Sequence, residues 1–99
     1  MAVSVIVCCA NGSGTSLMAA MTLEKAAKAE GWKLTKTHHC SLSEGKNAAM
    51  QYDIVLCPQN FTNMFAAAAA KGTTVIGLRN VMSQKEITEK MNACGRDLK

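Results

Sequence analysis

Three short runs of β-branched and apolar residues punctuate this chain, and each is followed by a segment with helical spacing. They are residues 2–8 (AVSVIVC), 53–57 (DIVLC) and 73–78 (TTVIGL). The first two are continuous and without helical spacing, which is how a strand covered on both faces reads, and the third gives a further strand. Such strands need a helical layer on each side, so the pattern restricts the chain to an α/β architecture with a parallel sheet.

The intervening segments agree. From Ser16 to about Glu30, Leu17, Ala20, Met21 and Ala27 share one helical face, Thr15 or Ser16 suits the N-cap, and Gly31 ends the helix. Trp32, Leu34, Lys36, His38 and Cys40 then fall on one face of an extended run and Lys33, Thr35, Thr37 and His39 on the other, as in an edge strand. A short loop or helix continues through Ala49. After Pro58, Phe61, Met64, Phe65 and Ala68 recur at helical spacing up to Lys71 and Gly72. Ser83 and Glu86 make a capping box for a last helix whose Ile87, Met91, Cys94 and Leu98 face inward. With right-handed crossovers this succession predicts an open four-stranded parallel sheet, order 2-1-3-4, with helices on both faces.

In such a sheet, ligands bind beyond the carboxyl ends of the strands, where the strand order reverses. Cys9 lies there, at the mouth of the loop Ala10-Asn11-Gly12-Ser13-Gly14-Thr15-Ser16 that joins the first strand to the first helix. Two glycines let successive N–H groups converge on one spot, and the helix N-terminus adds its dipole, which together make an anion cradle. The same dipoles lower the pKa of a thiol at the base of the cradle, favouring the nucleophilic thiolate. Cys8, inside the strand, reads as a small buried hydrophobe.

Composition narrows the setting. A chain of 99 residues with 48% hydrophobic and 18% charged residues suits one globular domain spanning 1–99. No apolar run approaches the ~20 residues of a membrane span and no secretory signal is evident, so a cytoplasmic protein without direct membrane insertion is expected. Five cysteines, at 8, 9, 40, 57 and 94, are then expected as thiols rather than a disulfide framework. The net charge of +4 is spread along the chain with few aromatics, which argues against nucleic acid as partner and suits an acidic protein surface.

The segment Cys9-x-x-Gly12-x-Gly14-Thr15-Ser16, directly after an apolar strand, resembles the active-site loop of IIB components of the sugar phosphotransferase system in the lactose, galactitol and ascorbate groups. Residues 75–83 (VIGLRNVMS) are similar to the equivalent strand and turn of ascorbate-type IIB proteins in particular. The order and length of the elements agree over nearly the whole chain. The resemblance implies the three-layer fold shared with flavodoxin and the low-molecular-weight phosphatases, and a relay without any cofactor. A phosphohistidine on a IIA protein donates to Cys9, and the phosphocysteine passes the group to a sugar held by the membrane-embedded IIC component.

Two other readings use the same residues. A low-molecular-weight cysteine phosphatase shares the fold and the cysteine loop but has arginine six residues after the nucleophile, where this chain has Thr15, so the charged clamp on the transition state is missing. A zinc or redox-sensing site would draw on His38, His39, Cys40, Cys57 and Cys9, but no CxxC pair or spaced histidine motif supports a metal. Met18 and Cys40 are candidates for a docking rim around Cys9, and Arg79 and Asn80, which follow the fourth strand, for steering a phosphorylated partner.

Overall fold

The computed structural model describes the backbone of residues 3–9, 13–80 and 83–93, and the side chains of all of these except 9 and 13–16. In chain order the elements are β1 (Val3–Cys9), α1 (Ser13–Glu30), β2 (Leu34–Ser41), α2 (Leu42–Ala48), a 3-10 turn (Ala49–Gln51) and β3 (Ile54–Pro58). A 3-10 helix (Gln59–Phe65) then runs into α3 (Ala66–Ala70), followed by β4 (Thr74–Leu78) and α4 (Gln84–Ala93). The sheet has the expected order β2-β1-β3-β4, and every pairing is parallel.

Alternation along the strands divides the core in two. Val3, Val5 and Val7 of β1, with Ile54, Leu56, Ile76 and Leu78, pack against Ala19, Ala20, Leu23, Ala26 and Ala27 of α1 and Ile87 and Met91 of α4. Ile6 and Cys8, with Val55 and Cys57, pack on the other face with Leu42, Ala49, Phe65 and Ala68. Side chains from Val5 to Cys8 are completely buried, so β1 is the spine of the molecule.

Two expectations about faces need correction. On α1 the inward stripe is Ala19, Ala20, Leu23, Ala26 and Ala27, while Leu17 and Met21 point to solvent at 47% and 50% exposure. Small alanines let the helix lie close to the sheet, and the bulkier apolar residues are left outside. On β2, Leu34 packs with the α1 side and Cys40 with the α2 side, so they do not share a face. The register explains this: Val3 pairs with Leu34 but Ser4 with Lys36, leaving Thr35 as an extra residue that shifts the alternation by one.

Polar contacts fix the corners. α1 ends at Gly31, whose φ of 75° suits a residue without Cβ, and the Trp32 N–H donates to the Ala27 carbonyl at 3.0 Å in a Schellman-type closure. The indole N–H of Trp32 reaches Asn92 Oδ1 at 3.3 Å, tying this corner to α4. At the start of the sheet, Asp53 Oδ2 accepts from the Ser4 N–H at 3.0 Å and the Ser4 hydroxyl at 3.3 Å, while the Asp53 N–H donates to Ser4 Oγ at 3.0 Å and to the Ser4 carbonyl at 3.1 Å. This reciprocal set locks the register of β1 against β3. Helix α2 rests on β1 and β2 through Gly45, where an added Cβ would stand 2.0 Å from Cys8 Sγ.

Candidate functional site

All four strands run the same way, so Cys9, Ser41, Pro58 and Leu78 end at one edge of the sheet. From β1 the chain crosses to β2 on one side, whereas β3 and β4 build outward on the other, so the order reverses between β1 and β3. A crevice at that reversal is the place where open α/β sheets bind ligands. Cys9 is the last residue of β1, two beyond the Val7–Leu56 pair and in register with Ser41.

The strand extends one residue further, and the helix starts three residues earlier, than the sequence suggested. Ala10, Asn11 and Gly12 are outside the described residues, and Ser13, Gly14, Thr15 and Ser16 form the first turn of α1. Thr15 and Ser16 therefore lie within the helix and not at its N-cap. The apolar period begins only at Leu17, so a polar first turn leaves no trace in a hydrophobic pattern. The first N–H groups of an α-helix have no partner within it and carry the positive end of its dipole. Here they belong to an 18-residue helix that opens a few residues after Cys9.

The surroundings of this edge differ in character. Met18, 55% exposed, and its neighbours Leu17 and Met21 form an apolar flank on the first turns of α1. Across the sheet, Pro58, Gln59, Asn60, Leu78 and Arg79 line a cleft of about 230 Å³. The turn after β4 is held by Glu86 of α4, whose carboxylate accepts from the backbone N–H groups of Arg79 and Asn80, each at 2.9 Å. Lys90 pairs with the same carboxylate at 3.2 Å and also donates to the Gly77 carbonyl. Burial alone would raise the Glu86 pKa, but the two amides and Lys90 outweigh it and hold the carboxyl below its ordinary value. The capping box is thus half formed: the Glu86 N–H donates to Ser83 Oγ at 3.3 Å, while the carboxylate has turned to the β4 turn instead. A contact of that kind, six and seven residues back along the chain, belongs to no local motif.

Cys40, the other rim candidate, is 6% exposed and packs its sulfur 3.8 Å from Cys8 Sγ. Burial pushes its thiol pKa up, with Glu44 adding to the effect and the contact with Cys8 opposing it. Cys57 is also buried, its thiol directed at the Ile76 carbonyl. His38 and His39 lie along β2, with His38 stacked on Tyr52 at 6.4 Å between ring centroids. Among the described residues no three His, Cys, Asp or Glu side chains converge as metal ligands, and no helix is long and apolar enough to cross a membrane.

A family model described as the lactose/cellobiose-specific IIB subunit of the PTS system matches residues 4–93. The chain belongs to that IIB family. As a IIB component it is a phosphoryl carrier of the sugar phosphotransferase system, with the phosphotransferase activity general to the family. An ascorbate-specific PTS system EIIB component of Mycoplasma pneumoniae is 27% identical over 88 residues, covering 89% of this IIB chain and 90% of the relative. The solved lactose-specific IIB component domain of Streptococcus pneumoniae superposes with a TM-score of 0.68 at 17% identity, over 97% of the IIB chain and 100% of that domain. At that identity the likeness establishes the fold, and the fold is the open 2-1-3-4 sheet described above.

Proposed function

We propose that Cys9 is the phosphoryl acceptor of this IIB component and that residues 1–99 act as one carrier unit in the cytoplasm. In the first half-reaction the Cys9 thiolate attacks the phosphorus of a phosphohistidine on a IIA protein. The P–N bond breaks as the S–P bond forms, and the released imidazole takes up a proton. In the second, a hydroxyl of the sugar bound by the membrane IIC component attacks the same phosphorus, the S–P bond breaks as the O–P bond forms, and the hydroxyl's proton passes to solvent as the thiolate leaves. Both steps ask for in-line positioning and charge stabilisation and little general-base chemistry.

The observation that carries this reading is the position of Cys9 at the end of the central strand, just before the N-terminus of α1, where the chain reverses its direction across the sheet. An anionic group on that residue would meet the amides of the first turn, Ser13 to Ser16, which have no partner within the helix. Met18 offers an apolar contact to a docking protein, and Arg79 and Asn80, in the turn held by Glu86, a polar one. Cys40 has no part in this rim, because its sulfur is turned into the core.

The test is phosphoryl transfer from a radiolabelled IIA protein. Cys9→Ser should abolish the thiol-linked label, whereas Cys8→Ser should retain much of it. Label of undiminished yield on the Cys9→Ser protein would reject the assignment.

A further inference from the structure

Cys8 and Cys40 are register partners in adjoining strands, with sulfurs 3.8 Å apart and exposures of 0% and 6%. Neighbouring strands stand about 4.8 Å apart, and a disulfide spans a Cα separation of about 4.4–6.8 Å, so the backbone already stands at bridging distance. Side-chain rotation would have to bring the sulfurs from the present 3.8 Å to an S–S bond of about 2.05 Å. The phosphoryl relay proposed above uses neither thiol.

What covers the pair is a short helix, α2. Helix α2 has seven residues, well short of the ~12–15 at which an isolated helix holds in water. It carries Gly45 in its middle, and the side chain of its N-cap Ser41 makes no capping bond, its hydroxyl meeting the Ser43 hydroxyl at 3.1 Å instead of a helix N–H. The helix is held by burial of Leu42 and by the fit of Gly45 on the two sulfurs. An element of this kind opens before the sheet beneath it. When it does, Cys40, on the edge strand, meets solvent first.

We infer that Cys8 and Cys40 form a modification site, a dithiol that a hydroperoxide closes to a reversible cross-strand disulfide through a sulfenic acid on Cys40. The Cys40 thiolate attacks a peroxide oxygen, the O–O bond breaks, and hydroxide leaves to become water with the proton the thiol gave up. The Cys8 sulfur then attacks the Cys40 sulfur, an S–S bond forms, the S–O bond breaks, and the hydroxyl departs as water with the Cys8 proton. Two thiols are oxidised and one hydrogen peroxide is reduced to two waters. In the closed protein, burial keeps the Cys40 thiol protonated, so the reaction waits on the opening of α2.

The experiment uses the full chain carrying Cys9→Ser and Cys94→Ser, treated with hydrogen peroxide. Loss of two hydrogens should lower the intact mass by about 2 Da, and dithiothreitol should restore it. Before reduction, trypsin should release fragments 1–25 and 37–46 joined, since Cys8 and Cys40 lie in these two and Cys57 in 47–71. Adding Cys8→Ala, or Cys40→Ala should the first unfold the protein, should remove the joined species. Unchanged mass in a protein still folded by circular dichroism would overturn the proposal, as would fragment 37–46 joined to 47–71. A joined species that forms in the wild type but not with Cys9→Ser would overturn it too, since Cys9 would then be the true partner. Because the readout is mass alone, it is independent of whether Cys9 carries phosphate.

Discussion

Replacing Gly45 by alanine sets two effects of opposite sign against each other. Gly45 is in the middle of α2, so helix propensity alone favours alanine by about 1 kcal/mol. Against that, the new Cβ would lie 2.0 Å from Cys8 Sγ, 3.1 Å from Cys8 Cβ and 3.3 Å from Cys40 Sγ. Comfortable non-bonded contact is about 3.5–4.0 Å, so the shortfall to the first sulfur is roughly 1.5 Å or more. That sulfur is fully buried, with the Cys40 sulfur beside it, so it has little room to yield. Overpacking of this order costs about 1–3 kcal/mol, and with so little relief available the upper end applies. The net expectation is a loss of about 2 kcal/mol, which for a domain of this size lowers Tm by roughly 10 °C. Urea unfolding followed by far-UV circular dichroism measures it directly. Cys8→Ala should cost about 1 kcal/mol by itself, as a small buried truncation. In the double variant the two changes should compensate, with a coupling of at least ~1 kcal/mol. A Gly45→Ala protein more stable than wild type, or strict additivity with Cys8→Ala, would show that α2 does not depend on this contact.

Asp53→Ala removes the acceptor for two Ser4 donors and should lower stability by about 1.5–3 kcal/mol, read as a fall in urea midpoint with unchanged m-value. Glu86 has its pKa held below the ordinary value, so the stability it contributes is fully present above that value and is lost as pH falls through the lowered one. Wild type should therefore exceed Glu86→Gln in urea stability at pH 7, and the gap should shrink as pH falls below the ordinary carboxylate value and close once it passes the lowered one. A gap that stays constant with pH would place the effect outside the carboxylate.

Much of the architecture was legible because burial writes itself into composition. The runs in β1 and β3 are almost wholly buried on both faces and therefore continuous, while β4, at the sheet edge, leaves Val75 half-buried; a continuous apolar run admits few alternatives once helical segments separate it from the next. The faces of individual residues were less legible where a nonlocal feature decides them. A single extra residue at Thr35 reassigns Leu34 to the α1 side, and the requirement for close packing gives α1 an alanine stripe in place of its larger Leu17 and Met21. Of the candidate site, the place of Cys9 at the end of β1 was nearly legible from the apolar run before it, a local signal. The hold of Glu86 on the Arg79–Asn80 turn and the seating of Gly45 on Cys8 were not, since each depends on where the next element lands in space.

The burial of β1 bears on how a carrier meets two very different proteins in turn. A strand enclosed by neighbours to left and right and by helices above and below has no free side on which to yield. In the relay proposed above, a partner pressing on the tip of β1 would load the whole sheet rather than one strand. Alternation of partners would then ask for movement of the partners, with this small chain as their fixed point.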